Sequence, residues 1–221
     1  MATFVLIHGG GDSGWAWHLL EEELRARGHD TVAPDLPSDD PDADLGVYTD
    51  SVVRAVGDRA GEIVVVGHSY GAFTAPLVAD RLSSRLLVLL AGMIPSPGER
   101  PDDWWESTGC VRARQEAGLS GIDDPFEAYY HDVPRELAEA GLAHGRPEVS
   151  RAGEQPWPLP AWPSVETRFI LCRDDRFFPA AFFRKLAHDR LGLVADEIPG
   201  SHCVALSRPK ELADMLTGYL E

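Results

Sequence analysis

Along the chain, short runs of uninterrupted apolar residues alternate with stretches in which apolar positions return every three or four residues. "TFVLI" (3–7) is the first run and reads as a buried strand. In "WAWHLLEEELRARG", Trp17, Leu20 and Leu24 share a helical face and Gly28 can close the helix. "DTVAPDLP" (30–37) predicts a second strand, leading into the acidic, proline-containing loop "SDDPDADLG". The segment "VYTDSVVRAVGDRA" predicts a helix with Tyr48, Val52 and Val53 on one side. "EIVVV" (62–66) is apolar almost throughout, as a strand is when both faces of a parallel sheet are covered. "GHSYG" (67–71) and the helical "AFTAPLVADRL" follow, and then a further buried run, "LLVLLAGM" (86–93). Strand and helix alternating at this spacing predict an α/β fold with a doubly wound, mostly parallel sheet.

The alternation stops near residue 94. From Ile94 to Pro163 no strand pattern occurs, and proline, tryptophan and charge are frequent. "DVPRELAEAGLAHG" predicts a helix there, with Asp132 as N-cap, Pro134 in the first turn and Gly145 as terminator. A long strandless insertion inside an α/β domain reads as a lid or functional insert. The predicted division is therefore a core of residues 1–94 and 164–221 with a helical cap of residues 95–163. Alternation resumes with "ETRFILC" (166–172), the helical "AAFFRKLAHDRLG", the strand "LVADEIP" and a last helix, "RPKELADMLTGYL".

With 221 residues the chain can build one sizeable core, and 44% apolar with 25% charged residues is a globular composition. A formal charge of −16 repels nucleic acid and anionic lipid and disfavours anionic substrates. Neither nucleic acid nor membrane is an expected partner. Cys110, Cys172 and Cys203 are widely spaced and form no C-x-x-C pair, which fits free thiols in a reducing compartment. "MATFVLIHGG" lacks the basic flank of a signal peptide, and no apolar stretch approaches the roughly 20 residues of a membrane span. The expectation is a soluble, cytoplasmic protein.

Chemistry enters through "GHSYG". A G-x-S-x-G pentapeptide is common by chance, but here it joins a predicted strand to a predicted helix, the setting of a nucleophile elbow. Gly67 and Gly71 leave the turn free of Cβ atoms on both sides of Ser69. A serine hydroxyl needs a base within hydrogen-bond reach. In α/β-hydrolases, which "GHSYG" in this setting resembles, the acid and then the histidine follow in loops after later strands. "ETRFILC" ends in "RDDRFFP" and "LVADEIP" ends in "GSHC", so Asp174 or Asp175 can supply the carboxylate and His202 the imidazole. Asp175 is preferred, because Asp174 follows the strand end directly and suits loop hydrogen bonding. "HGGGDSGWAW" (8–17) supplies the third part, with the Gly10 and Tyr70 amides as expected oxyanion donors. No G-K-[ST] follows the glycines, which excludes a phosphate loop. His8 reads as a loop brace.

Together "FVLIHGGGDSGWAW", "APDLP", "GHSYG" and "GSHCVALSRPKEL" resemble the α/β-hydrolase superfamily. Within it they resemble the branch holding plant methyl-ester esterases and hydroxynitrile lyases, with their bacterial relatives. The likeness spans about residues 3–94 and 164–221; in the middle only "YYHDVP" and the helix after it share it. It implies an α/β-hydrolase fold with a Ser69–Asp175–His202 triad, a small helical cap, a sheet of about six strands, and no metal or organic cofactor. The lyases carry a lysine directly after the histidine, where this chain has Cys203; its absence favours ester hydrolysis.

The expected activity is cleavage of a small or medium, largely apolar carboxylic ester through an acyl-enzyme. Gly11, Trp104, Trp105, Phe126, Tyr129 and Tyr130 are the expected substrate-lining residues. Lyase, amidase, lactonase or C–C hydrolase chemistry on the same scaffold is the alternative, as is a non-catalytic small-molecule receptor. Monomer and homodimer both remain open.

Overall fold

The computed structural model describes residues 1–59 and 61–221. Its six strands form one all-parallel sheet in the order β2-β1-β3-β4-β5-β6. β1 (Ala2–Ile7), β3 (Glu62–His68) and β4 (Leu86–Leu90) form its middle with β5 (Glu166–Cys172). β2 (Asp30–Val32) and β6 (Asp196–Ile198) are the edges. Every residue of β1 and β4 is buried, so both faces of the sheet are covered, which is why these strands carry no polar alternation. α1 (His18–Ala26) lies against α10 (Pro209–Gly218), and α2 (Leu45–Val56) against α3 (Ala75–Arg81).

Each strand is followed by a loop at the same end of the sheet, as parallel pairing requires. The register sets those ends level: Ile7 pairs with Gly67, His68 with Leu90, Leu90 with Ile170 and Cys172 with Ile198. Ser69, Met93, Asp175 and His202 therefore emerge on one rim although up to 133 positions separate them.

Between β4 and β5 there is no strand. The segment holds α4 (Trp104–Ser107), α5 (Cys110–Glu116), α6 (Pro125–Ala128) and α7 (Arg135–His144). Two buried indoles fasten it: Trp104 Nε1 donates to the Ile94 carbonyl and Trp157 Nε1 to that of Phe73, each at 2.9 Å. Arg190 on α8 (Ala180–Leu191) adds a bidentate pair with Glu99 at 2.6 and 2.7 Å.

Several elements are shorter than the apolar pattern predicts. β2 stops at Val32, before Pro34 and Pro37, which cannot donate to a ladder. β4 ends at Leu90, where Ala91 turns to φ +44°. β6 keeps only "DEI", in the second half of "LVADEIP". The helix predicted from Val47 to Ala60 begins at Leu45, capped by Asp44 through the Val47 amide at 2.9 Å, and ends at Val56; Ala60 is outside the described residues. Asp132 does not cap α7, whose N-cap is Pro134. Its carboxylate is drawn instead to the Ser201 amide at 3.1 Å, tying the cap segment to the loop that carries His202.

Candidate active site

Ser69 has φ +51°, a left-handed conformation uncommon for residues other than glycine. It follows β3 directly and opens a 3-10 turn, Ser69–Phe73, that feeds α3. The turn is tight enough to need its glycines. A Cβ on Gly67 would lie 2.5 Å from Ala75 Cβ; one on Gly71 would collide with the His8 carbonyl oxygen and stand 2.8 Å from that of Ile7. The Ser69 carbonyl is held in turn by the Met93 amide at 3.0 Å. The hydroxyl thus stands at the rim, on a backbone braced by its two neighbouring strand ends.

Asp175 and His202 meet beside it. Asp175 Oδ2 lies 2.8 Å from His202 Nδ1, with the two side chains 0% and 5% exposed. Asp175 Oδ1 accepts from the Phe177 and Phe178 amides at 2.7 and 3.0 Å, so the carboxylate is fully engaged and cannot rotate away. With Nδ1 as donor to the carboxylate, Nε2 is left as the free basic nitrogen. The rings of Tyr129, Phe177 and Phe178 surround the imidazole at centroid distances of 5.7, 5.4 and 5.5 Å. Asp174 is half exposed and takes the Gly200 amide at 2.9 Å, a loop contact. Ser69 and His202 face the same cavity, with no hydrogen bond between them; such bonds are often long before substrate binds.

The loop after β1 lies against the serine turn. A Cβ on Gly9 would be 3.1 Å from Ser69 Cβ, and one on Gly10 3.5 Å from Tyr70 Cβ. The Gly10 amide has no acceptor among the described residues, and Tyr70 is second in its 3-10 turn, where an N–H lacks an intrahelical partner. His8 braces this loop. Its Nδ1 donates to the Gly9 carbonyl at 2.8 Å and its Nε2 accepts from Leu36 N–H at 2.9 Å, and burial keeps it neutral by lowering its pKa. His68 is neutral for the same reason, with the positive field of His202 adding to the effect, and its Nε2 donates to the His202 carbonyl at 3.1 Å. The segment between β4 and β5 completes the frame: Arg146 N–H reaches the Gly11 carbonyl at 3.1 Å and Glu148 accepts from the Gly11 amide at 3.4 Å.

The cavity at this junction has a volume of about 330 Å³. Ser69, His202, Gly10, Gly11, Tyr70, Trp105, Tyr129 and Tyr130 all line it. Trp104 and Phe126 do not, contrary to expectation. Trp104 is wholly buried among Trp105, Phe178 and Phe182, where it anchors the cap, and Phe126 is covered by the Arg135 guanidinium at 3.5 Å. Phe177, Met93, Leu142 and Asp12 line the cavity without having been singled out in the sequence. Phe177 could have been read from its place two residues after Asp175, and Asp12 from its place directly after the glycines. Burial raises the Asp12 pKa from 3.8 to about 6, against the opposing pull of the Ser13 amide and His202.

A model of the Alpha/beta hydrolase family matches residues 4–215. Carbendazim hydrolyzing esterase of Nocardioides sp. (strain SG-4G) is 26% identical, over 98% of this chain and 98% of that protein. Methylesterase 2 of Arabidopsis thaliana is 24% identical, over 96% of this chain and 94% of that protein. Among solved structures, polyneuridine aldehyde esterase superposes with a TM-score of 0.83 at 19% identity, over 100% of both chains.

Proposed function

Because the chain belongs to the alpha/beta hydrolase family, we propose that it is a serine esterase acting on small or medium, largely apolar carboxylic esters. The observation that carries this reading is the buried Asp175–His202 pair, opening onto the same cavity as a serine in a strained, left-handed turn. Two full-length relatives named as esterases support the reaction type.

In this mechanism His202 Nε2 takes the proton of Ser69 as Oγ attacks the ester carbonyl carbon. Asp175 holds the imidazole in the productive tautomer and stabilises the imidazolium. The carbonyl oxygen becomes an oxyanion between the Gly10 and Tyr70 amides, where one donor is worth about 2.7–4 kcal/mol. Collapse breaks the carbon–oxygen bond to the alcohol, which leaves with the proton returned by His202. Water, deprotonated by the same nitrogen, then attacks the acyl carbon; the bond to Ser69 Oγ breaks, Oγ takes the proton back from His202, and the carboxylic acid leaves. The volume of about 330 Å³ is at the low end for ligand cavities and fits a modest acyl group. Residues 95–163 serve as the cap over this site. Three unpaired, buried cysteines support a reducing, cytoplasmic setting.

Steady-state hydrolysis of short p-nitrophenyl esters tests the reading. The wild type turns them over, and Ser69→Ala lowers kcat by about 10⁶. Equal rates in the two proteins would refute a serine mechanism.

A further inference from the structure

The cavity holds one acidic side chain that the mechanism leaves unused. Asp12 follows the three glycines of the oxyanion loop and lines the cavity with His202, Tyr130 and Cys203. Burial raises the Tyr130 and Cys203 pKa values, and the negative charge of Asp12 nearby adds to both shifts. The Asp12 side chain is half-buried in the wall of this cavity. No side-chain hydrogen bond or ion pair engages it among the described residues, and no lysine or arginine lines the cavity. The basic groups nearby in sequence or packing are committed elsewhere. Arg146 is taken by Asp39 at 2.6 Å and Asp35 at 3.4 Å, and Arg114 lies over the Phe177 ring at 4.7 Å.

A largely desolvated carboxylate whose one hydrogen-bond partner is the neighbouring Ser13 amide still lacks an opposite charge, and a ligand can supply it. Aromatic residues are prominent in the walls around it, where Trp105, Tyr129, Tyr130 and Phe177 line the same space. Carboxylate and aromatic rings in one small cavity are the two features that recognise an ammonium ion. The whole molecule, at −16, draws cations toward it as well.

We propose that Asp12 is a specificity-determining residue that binds a cationic nitrogen on the substrate, so that the preferred esters are amino esters with an otherwise apolar body. This rests on the esterase reading and deepens it by naming the substrate class. The ammonium docks against Asp12 and the neighbouring rings while the ester carbonyl sits at Ser69 and the Gly10 and Tyr70 amides.

Three methyl esters of matched length separate the outcomes: methyl 5-aminopentanoate, neutral methyl hexanoate and anionic monomethyl adipate, followed by acid release at constant pH. The wild type is expected to favour the ammonium ester over the neutral one by about 10- to 100-fold in kcat/KM, with most of the difference in KM. The anionic ester is the poorest substrate. In Asp12→Asn the ammonium-to-neutral ratio collapses toward one. A residue that only steadies His202 would lower both rates and leave the ratio intact; that result overturns the proposal, as does a wild-type ratio at or below one. Calorimetric titration of Ser69→Ala and of Ser69→Ala/Asp12→Asn with the same esters keeps the two readings apart. If no ester is turned over, the esterase reading fails. Tighter binding of the ammonium ester, lost with Asp12, still supports this site, and equal binding of all three refutes it.

Discussion

At the scale of single residues, the site divides into groups whose chemistry announces itself and groups whose role depends on neighbours. The convergence of Ser69, Asp175 and His202 could be read from the sequence because their types, their chain order and the strands before them are each constrained. Trp104 and Phe126 were misread because an aromatic ring fills a core as readily as it lines a pocket, and only packing decides between the two. Asp12 was missed because its place after the glycines puts it near the serine turn but does not show that the carboxylate is desolvated. That desolvation has a measurable consequence. In the unfolded chain Asp12 ionises near 3.8, whereas the folded protein retains its proton up to about 6. Between those values the folded state binds more protons than the unfolded one, so this residue's contribution to stability falls as pH rises. Below the lower value it imposes no penalty; above the upper one the full penalty applies, roughly 3 kcal/mol at 1.36 kcal/mol per unit. Asp12→Asn, whose amide must itself be desolvated, is expected to gain about 1–2 kcal/mol at pH 7–8 and nothing near pH 4. Thermal melts across that range check it: a gain that does not shrink with acid would mean the carboxylate is not desolvated.

At the scale of elements, the strands and long helices follow the apolar pattern closely, and their ends do not. β1, β3, β4 and β5 could be read because a strand covered on both faces has no polar positions to confuse it. β2 and β6 sit at the edges with one neighbour each, so fewer ladder bonds oppose the prolines and loop contacts that shorten them. The element that matters most for chemistry is the turn after β3, where the backbone of β1 closes over Gly71. Two glycine substitutions separate packing from backbone conformation. Gly71→Ala forces a Cβ into the His8 and Ile7 carbonyl oxygens, which belong to backbone at the end of β1 and the start of the glycine loop after it. Its expected cost is about 3 kcal/mol or more, a Tm loss of roughly 6–12 °C for a chain of this size. Gly28→Ala keeps a left-handed residue (φ +82°) after α1 but meets nothing within 4 Å, so strain alone applies, about 1 kcal/mol. Comparable melting temperatures for the two variants would show that the turn has room to open, contrary to the clash at Gly71.

At the scale of the whole molecule, the order β2-β1-β3-β4-β5-β6, with all strands parallel, brings the loops after six strands to one rim, and residues of the segment between β4 and β5 line the cavity there. The alternation of strand and helix made that architecture legible, whereas the packing of residues 95–163 was not, since short helices joined by proline-rich turns carry no long-range periodicity. Net charge is the other property that belongs to the molecule and not to any part of it. The excess of acidic over basic residues gives −16, and the cavity's own acidic group, Asp12, points in the same direction. Long-range and local fields therefore act together on a charged ester, but they differ in their response to salt. The field of the exposed charges is screened over about 30 Å at 0.01 M and about 10 Å at 0.1 M ionic strength, while a desolvated contact is screened far less. Raising salt from 10 to 200 mM should lower kcat/KM for methyl 5-aminopentanoate by about 2- to 5-fold and raise it for monomethyl adipate, leaving methyl hexanoate unchanged. The preference that survives at high salt is the part owed to the cavity, and Asp12→Asn should remove that remainder while the salt-sensitive part persists. A preference that vanished completely by 200 mM in the wild type would assign all of it to the surface and none to Asp12.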